Sequence, residues 1–217
     1  PGEFQLAPER LQRIGVRTTL VAKRTLQPEL RAAGRVTWDE TALQDVSLKV
    51  RGWIGELQVA AIGAQVERGQ VLFTFYSPEL YAAQREYLLA IQAQARARST
   101  GAPDRADYLV TAARNRLRLW DLTAADLGRI AKSGAALEQI PIRSPAAGFV
   151  VEKNVVAGGA IEPGQRLYRI APLDPIWIEA QVSEQQIALV SVGMPAAIDV
   201  PALPGRRFEG RLAWLYP

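Results

Sequence analysis

The chain has 217 residues, 48% of them hydrophobic, with 26 Lys and Arg against 22 Asp and Glu and neither cysteine nor histidine. Thiolate and imidazole nucleophiles, imidazole bases and Cys/His metal sites are therefore excluded, and a net charge of +4, scattered among acids, is no nucleic-acid surface. No run approaches the roughly 20 apolar residues that span a bilayer.

The chain opens at Pro1 with no charged start and apolar signal segment, and it stops at Tyr216-Pro217 just after a strand-like run. We read it as a soluble piece of a longer protein, any signal peptide or anchor lying outside it. Lack of cysteine agrees with an oxidising compartment. Gln12 to Leu26 and Arg31 to Trp38 read as strands, with Val16, Thr18, Leu20 and Val36 at β-like spacing.

Gly52 to Val59 and Gly63 to Leu72 follow as strand, turn and second strand. Ile54, Leu57 and Val59 are the half-buried positions, and Gly63 and Gly69 stand where turns need positive φ. Ser77-Pro78-Glu79 then puts a capping hydroxyl before a proline and an acid, a helix start. Tyr81, Leu88, Ile91 and Ala95 recur at helical spacing, with Gln84, Arg85, Gln92 and Arg96 as polar positions, until Ser99-Thr-Gly-Ala-Pro103 breaks the pattern.

A second helix runs from about Asp104 to Trp120, with Leu109, Ala113, Leu117 and Trp120 on one side and Arg114 and Arg118 on another. Thr123 and Asp126 then cap a short helix ending at Gly134. The insertion is thus an antiparallel helical hairpin, or three helices if the short one is counted.

After it the first pattern returns. Gly158 to Leu167 shares G-x-x-[V/I]-E-x-G-Q-x-L with Gly63 to Leu72, and Gly148 to Val155 answers Gly52 to Val59, with Val150 and Val155 apolar and Gly158 and Gly164 in the turns. A hairpin this short cannot stand alone in water, so the two copies pack into one β-sandwich. The helical insertion leaves near Ser77 and returns near Ile142, at adjacent strand ends, so it projects as an arm. At about 1.5 Å per residue, some 20 residues per helix reach about 30 Å.

Asp174 to Val182 is a clean strand alternation, Ile176, Ile178, Ala180 and Val182 against Trp177, Glu179 and Gln181. Ser183-Glu184-Gln185-Gln186 starts a short helix carrying Ile187 and Val190, and Gly193, a strand through Ile198 and Val200, a turn at Pro204-Gly205 and a strand from Phe208 to Leu215 complete the chain. The sandwich brings Trp38 and Pro172 together, so both chain ends pair into a partial barrel. The fold class is α+β, multidomain and mainly β: a split sandwich with an inserted helical hairpin and a partial β-barrel from both ends.

Each copy resembles half of a biotinyl/lipoyl domain, and the whole layout resembles the membrane fusion proteins of the HlyD type, the adaptors of tripartite efflux pumps. Leu11-Gln12-Arg13-Ile14-Gly15-Val16, Gly34-Arg-Val36 before Trp38-Asp39, Tyr76-Ser77-Pro78-Glu79-Leu80, Gln84-Arg-Glu86-Tyr87-Leu88 and Trp177-Ile-Glu-Ala-Gln-Val-Ser-Glu184 look like its CusB-type branch, which serves heavy-metal pumps of the RND class. The resemblance divides the chain into a first barrel part (1–43), a lipoyl-like half (44–77), the hairpin (78–140), a second half (141–172) and a truncated second barrel part (173–217).

It implies a non-enzymatic coupling role without cofactor, in the periplasm of a Gram-negative bacterium, with the full-length protein attached to the inner membrane. The arm would reach an outer-membrane channel while the barrel docks on an inner-membrane RND transporter, in a hexameric ring. The hairpin-tip residues that would touch the channel are Arg96, Arg98, Ser99, Thr100 and Arg105. An Arg, Leu, Ser tip motif of drug-pump adaptors is not evident there.

Some relatives bind the exported metal through Met or His. Here the lone Met194 follows a turn glycine, whereas a site for Cu(I) or Ag(I) wants two or three thioethers, so no metal ligand is assigned and a transient ion would use terminal segments beyond this chain. The alternatives are an adaptor for a drug or other exporter, and a biotin or lipoate carrier. The carrier needs a lysine at the joins Phe75 to Pro78 or Ile142 to Pro145; Lys132 and Lys153 stand elsewhere.

Overall fold

The computed structural model describes residues 19–23, 29–99 and 104–216. Most of the expected strand from Gln12 to Leu26, with Val16 and Thr18, lies outside the described residues, and the described part around Leu20 is irregular chain. The chain divides into two compact units, Gly34–Glu179, and Pro1–Ala33 with Ala180–Pro217.

In the first unit the strands are β1 (Gly34–Trp38), β2 (Gln44–Ser47), β3 (Gly52–Leu57), β4 (Gln65–Val66), β5 (Val71–Tyr76), β6 (Ile140–Arg143), β7 (Gly148–Lys153), β8 (Ala160–Ile161), β9 (Arg166–Ala171) and β10 (Ile176–Ala180). Two four-stranded sheets, ordered β2-β9-β7-β4 and β6-β5-β3-β8, make the sandwich. Strands β2 to β5 of the first copy correspond to β6 to β9 of the second. Each copy keeps its two long strands in one sheet and lends its leading and short strands to the other, so the copies interlock.

The repeat explains the reciprocal hydrogen bonds. Gly63 N–H donates to Val150 O at 2.7 Å and Gly158 N–H to Ile54 O at 2.9 Å; Gly69 N–H reaches Ser144 O and Gly164 N–H reaches Leu48 O, both at 2.8 Å. All four turn glycines have positive φ, between 76° and 85°, as the sequence requires. The shared Glu-x-Gly-Gln also has a cause: Gln70 Oε1 accepts from Glu67 N–H at 2.9 Å, and Gln165 Oε1 from Glu162 N–H at 3.3 Å. Each glutamine ties off its own turn.

Gly52 and Gly148 serve close approach instead. A Cβ at Gly52 would stand 2.1 Å from Tyr76 O, and one at Gly148 2.4 Å from Ala171 O. In the core, Phe73 and Tyr168, which correspond in the two copies, stack with centroids 5.7 Å apart and planes 12° apart. Burial pushes the Tyr168 hydroxyl up to about 12, and it donates to Val59 O at 2.7 Å.

The insertion is three helices, α1 (Pro78–Ser99), α2 (Asp104–Leu119) and α3 (Ala124–Ser133). Ser77 Oγ accepts from Leu80 N–H at 3.4 Å. Thr123 and Asp126 form a reciprocal capping box, and Gly134 closes α3 in the left-handed region at φ 68°. Gln94 Nε2 on Asp107 at 2.6 Å and Arg116 on Glu86 at 2.7 Å fix α1 and α2 as antiparallel. Strands β5 and β6 pair directly, Phe75 opposite Ile140, so the whole insertion is formally the loop of one β-hairpin.

The packing faces differ from the sequence reading. On α1 the buried residues are Leu80, Ala83, Gln84, Tyr87 and Leu88, while Tyr81 and Ala95 are exposed. The face is turned because α3 and the irregular segment leading to β6 cover it at the root. On α2, Ala106, Val110 and Leu117 are buried and Leu109 is exposed; Trp120 lies just past the helix, half-buried, with the Arg116 guanidinium 5.1 Å from its ring centroid.

Strand β1 pairs with β10, so the two flanks of the sandwich do meet. Strand β10 is shorter than Asp174 to Val182, and its Ile176 and Ile178 are exposed while Trp177 is half-buried. The second unit holds α4 (Glu184–Ile187) and the antiparallel pair β11 (Pro195–Asp199) and β12 (Arg207–Arg211). Val190 lies beyond α4, Val200 beyond β11, and residues 212–216 beyond β12. Among the described residues the strands do not close into a barrel; they form two separate two-stranded sheets. No helix among them is long and apolar enough to cross a membrane.

Candidate functional site: the helical arm and its root

At the far end of the arm, Arg96, Arg98 and Ser99 occupy the last turn of α1 and Arg105 the first turn of α2, all exposed. Ser99 Oγ donates to Arg96 O at 2.6 Å, and Arg98 meets Asp107 at 3.5 Å. Thr100 lies outside the described residues. The described tip is basic, with Asp107 as its acidic counterweight.

Along one side of the arm, Leu89, Ala90 and Ala93 of α1 and Leu109, Ala112 and Ala113 of α2 line an open apolar trough of about 520 Å³. The alanines let another surface approach the helix backbones closely. Leu109 belongs to this trough rather than to the arm's own packing.

At the root, buried Gln84 is doubly bonded to one residue, Leu137, of the segment between α3 and β6. Its Nε2 donates to Leu137 O at 3.1 Å and its Oε1 accepts from Leu137 N–H at 2.8 Å. Lys49 pairs with Asp121 at 2.7 Å and Arg51 with Glu79 at 3.1 Å. Sequence reasoning missed all of these. A signal for the two cations does exist: the matching stretch of the second copy, Ser144 to Ala147, carries no charge.

The outer face of the β2-β9-β7 sheet carries a four-residue ion network. Asp45 meets Arg166 at 2.8 Å and Arg169 at 2.7 Å, and Glu152 meets the same two at 3.3 and 3.0 Å. The Arg169 hydrogen bond holds the Asp45 carboxyl below its usual range, and Arg166 adds to this. For Asp126, burial works against ionisation, but hydrogen bonds from Thr123 and Arg129 prevail and its pKa is lowered too.

A depressed folded-state pKa stabilises the fold above the unfolded value and loses that contribution as pH falls through the folded one. Thermal stability is therefore expected to be level from neutrality down to about pH 5 and to drop below about pH 4, where unfolded Asp begins to take up protons first. Asp45→Asn should flatten part of that drop in melting curves recorded against pH. An unchanged acid limb would refute the assignment.

Among the described residues no group of three or more His, Cys, Asp or Glu could hold a metal ion. Met194 Sδ accepts from Ser191 N–H at 3.4 Å, a turn contact. Lys153 Nζ donates to Val155 O at 2.8 Å, within its own copy, and Lys132 lies on α3.

The model of a family described as "CzcB-like, barrel-sandwich hybrid domain" matches residues 42–172, and that of "CusB-like, beta-barrel domain" matches residues 175–217. The chain is 25% identical over 213 residues to the cation efflux system protein CusB of Escherichia coli, covering 98% of this chain and 50% of the relative. It is 26% identical over 214 residues to the cobalt-zinc-cadmium resistance protein CzcB of Cupriavidus metallidurans, covering 91% and 41%. It thus spans about half the length of the curated relatives it matches.

Among solved structures, ZneB from Cupriavidus metallidurans is similar with a TM-score of 0.51 at 24% identity, over 85% of this chain and 84% of that one. A MacA-MexA chimera containing the Pseudomonas aeruginosa MexA α-hairpin domain gives 0.52 at 20% identity, over 84% and 65%. These two likenesses concern the fold.

Proposed function

Since the chain belongs to the CzcB-like barrel-sandwich hybrid family, we propose that it is part of the periplasmic adaptor of a tripartite RND-type efflux pump that exports heavy-metal cations. In this reading it does no covalent chemistry. It links an inner-membrane RND transporter to an outer-membrane channel of a Gram-negative cell, as a hexameric ring anchored at the inner membrane. The division into barrel part (1–43), lipoyl-like half (44–77), hairpin (78–140), lipoyl-like half (141–172) and second barrel part (173–217) goes with it.

The observation that carries the reading is the arm, which leaves and re-enters the sandwich through the paired strands β5 and β6 and ends in exposed Arg96, Arg98, Ser99 and Arg105. An extended two-helix arm with a basic end and an alanine trough suits docking on another helical protein. In this reading Arg96, Arg98, Ser99, Thr100 and Arg105 make the channel contact. The relatives named for cation efflux and for cobalt, zinc and cadmium resistance support metal cations as cargo.

The chain has no cysteine, which makes the test clean. Single cysteines at Ser99, Thr100 and Ala102 of the full-length protein, treated with a short crosslinker in intact host cells, are expected to capture an outer-membrane channel. A control cysteine at Glu162, in a sandwich turn, should capture none. A folded, expressed protein whose tip positions capture no channel would end the docking assignment.

A further inference from the structure

The stretch between β2 and β3, Leu48-Lys49-Val50-Arg51, alternates buried and charged residues. Leu48 and Val50 are buried, and the two cations between them reach opposite legs of the arm. Lys49 Nζ meets Asp121 Oδ1 just past the end of α2, and Arg51 Nε meets Glu79 Oε1 in the first turn of α1.

Asp121 sits at φ 64°, a region that residues with a Cβ rarely use, so the turn that presents it is narrowly defined. Below the two pairs, Leu48, Phe75, Leu80, Trp120, Leu122 and Ile140 line a cavity of about 240 Å³ between sandwich and arm. The root is not packed solid there.

The internal repeat supplies a control within the molecule. Gly164 N–H bonds to Leu48 O and Gly69 N–H to Ser144 O, so Ser144-Pro-Ala-Ala147 is the counterpart of Leu48-Lys-Val-Arg51. It lies beside the end of β9, as Gly148 meets Ala171 O, whereas the charged stretch lies beside the end of β5, as Gly52 meets Tyr76 O. The arm grows from β5 and not from β9. The cations follow the arm, not the sandwich pattern.

We infer that Lys49 and Arg51 are positioning residues: together they form an electrostatic strap across the arm's root that sets its direction on the sandwich. Lys49 and Asp121 are 58% and 56% exposed and Arg51 and Glu79 69% and 45%, so the pairs add little to global stability and are open to screening by salt. Such weak, symmetric ties bias an orientation without being needed for the fold. The adaptor reading gives the arm's direction its use, but the inference concerns this chain alone. Its test needs neither pump nor channel, so the two fail separately.

Spin labels on cysteines at Gln92, on α1, and Glu162, in a sandwich turn, report the arm-to-body distance distribution by pulsed electron resonance. The parent is expected to show one narrow distance. Lys49→Ala with Arg51→Ala should shift the ratio of strapped to tilted arms about fivefold, with the melting temperature nearly unchanged. About 1 M salt, where the Debye length is about 3 Å, should broaden the parent in the same way and leave the double variant as it was.

Exchanging the pair at the start of α1, Arg51→Glu with Glu79→Arg, which leaves the Asp121 turn untouched, should restore the narrow distance that Arg51→Ala alone broadens. The inference is overturned if the folded double variant keeps the parental distribution. It is equally overturned if the exchanged pair, folded, stays as broad as Arg51→Ala alone, since the stems rather than the charges would then hold the arm.

Discussion

Gly52→Ala is expected to destabilise the chain by about 3 kcal/mol or more, a fall of roughly 10 °C in melting temperature. The added Cβ would meet Tyr76 O at 2.1 Å and the Phe75 ring at 2.6 Å. Phe75 is fully buried, and Tyr76 is the last residue of β5, so neither can step aside without opening the sheet where the arm begins. Gly148→Ala should behave alike at Ala171 O, because it is the same position in the second copy.

The control is Gly128→Ala. Gly128 lies inside α3 with nothing within 4 Å of a new Cβ, so alanine should there add about 0.5–1 kcal/mol. One chemical change, opposite in sign at two sites, separates close approach from flexibility. Thermal melting of the three variants decides it, and a harmless Gly52→Ala would refute the packing described at the base of β5.

Gln84→Leu is expected to cost about 2–4 kcal/mol, because it strands the Leu137 N–H and C=O, each worth about 1–3 kcal/mol when a buried partner is lost. Leucine nearly matches glutamine in volume, so the loss is polar rather than a cavity. Hydrogen exchange adds a local reading: the Leu137 amide, held by Gln84 Oε1 at 2.8 Å, should exchange far faster in the variant. A melting temperature within a degree or two of the parent would show that water replaces the side chain and that the root is held by other means.

The repeat was plain in the amino-acid order because turns at positive φ leave almost no choice but glycine. Gly63, Gly69, Gly158 and Gly164 therefore print the sandwich twice. Thr123, Asp126 and Gly134 marked α3 at both ends for the same reason, since caps depend on a few local groups. The exchange of strands between copies was not legible: β4 and β8 have two residues each, too few to show a period, and their partners are far away in the chain.

In the sequence Gln84 is one polar position of the helix among several, with nothing to mark it for burial. Only the return of the chain at Leu137 gives it two partners and makes its burial favourable, and nothing near Gln84 announces that. Leu109 failed in the opposite direction, an apolar residue left open beside Ala112 and Ala113. The end of α1 at Ser99 and the start of α2 at Asp104 were legible from the break at Ser99 to Pro103, where glycine and proline interrupt the helical period. In the second unit, alternation located β11 and β12 but overran their ends, at Val200 and at residues 212–215.

The β5–β6 pairing has one more consequence, for how such arms can vary. The root of the insertion is bound to the sandwich by Leu80, Gln84, Leu117 and Leu122. The outer turns of α1 and α2 only lengthen a loop already closed by β5 and β6, and closure entropy grows with the logarithm of loop length, about 0.6 kcal/mol for each doubling. The interlocked sheets, the stacked Phe73 and Tyr168 and the four turn glycines take no part in holding those outer turns. Reach is thus a nearly free variable of this architecture: an arm can gain or lose whole helical turns at its tip while the body that carries it keeps its sequence and its stability.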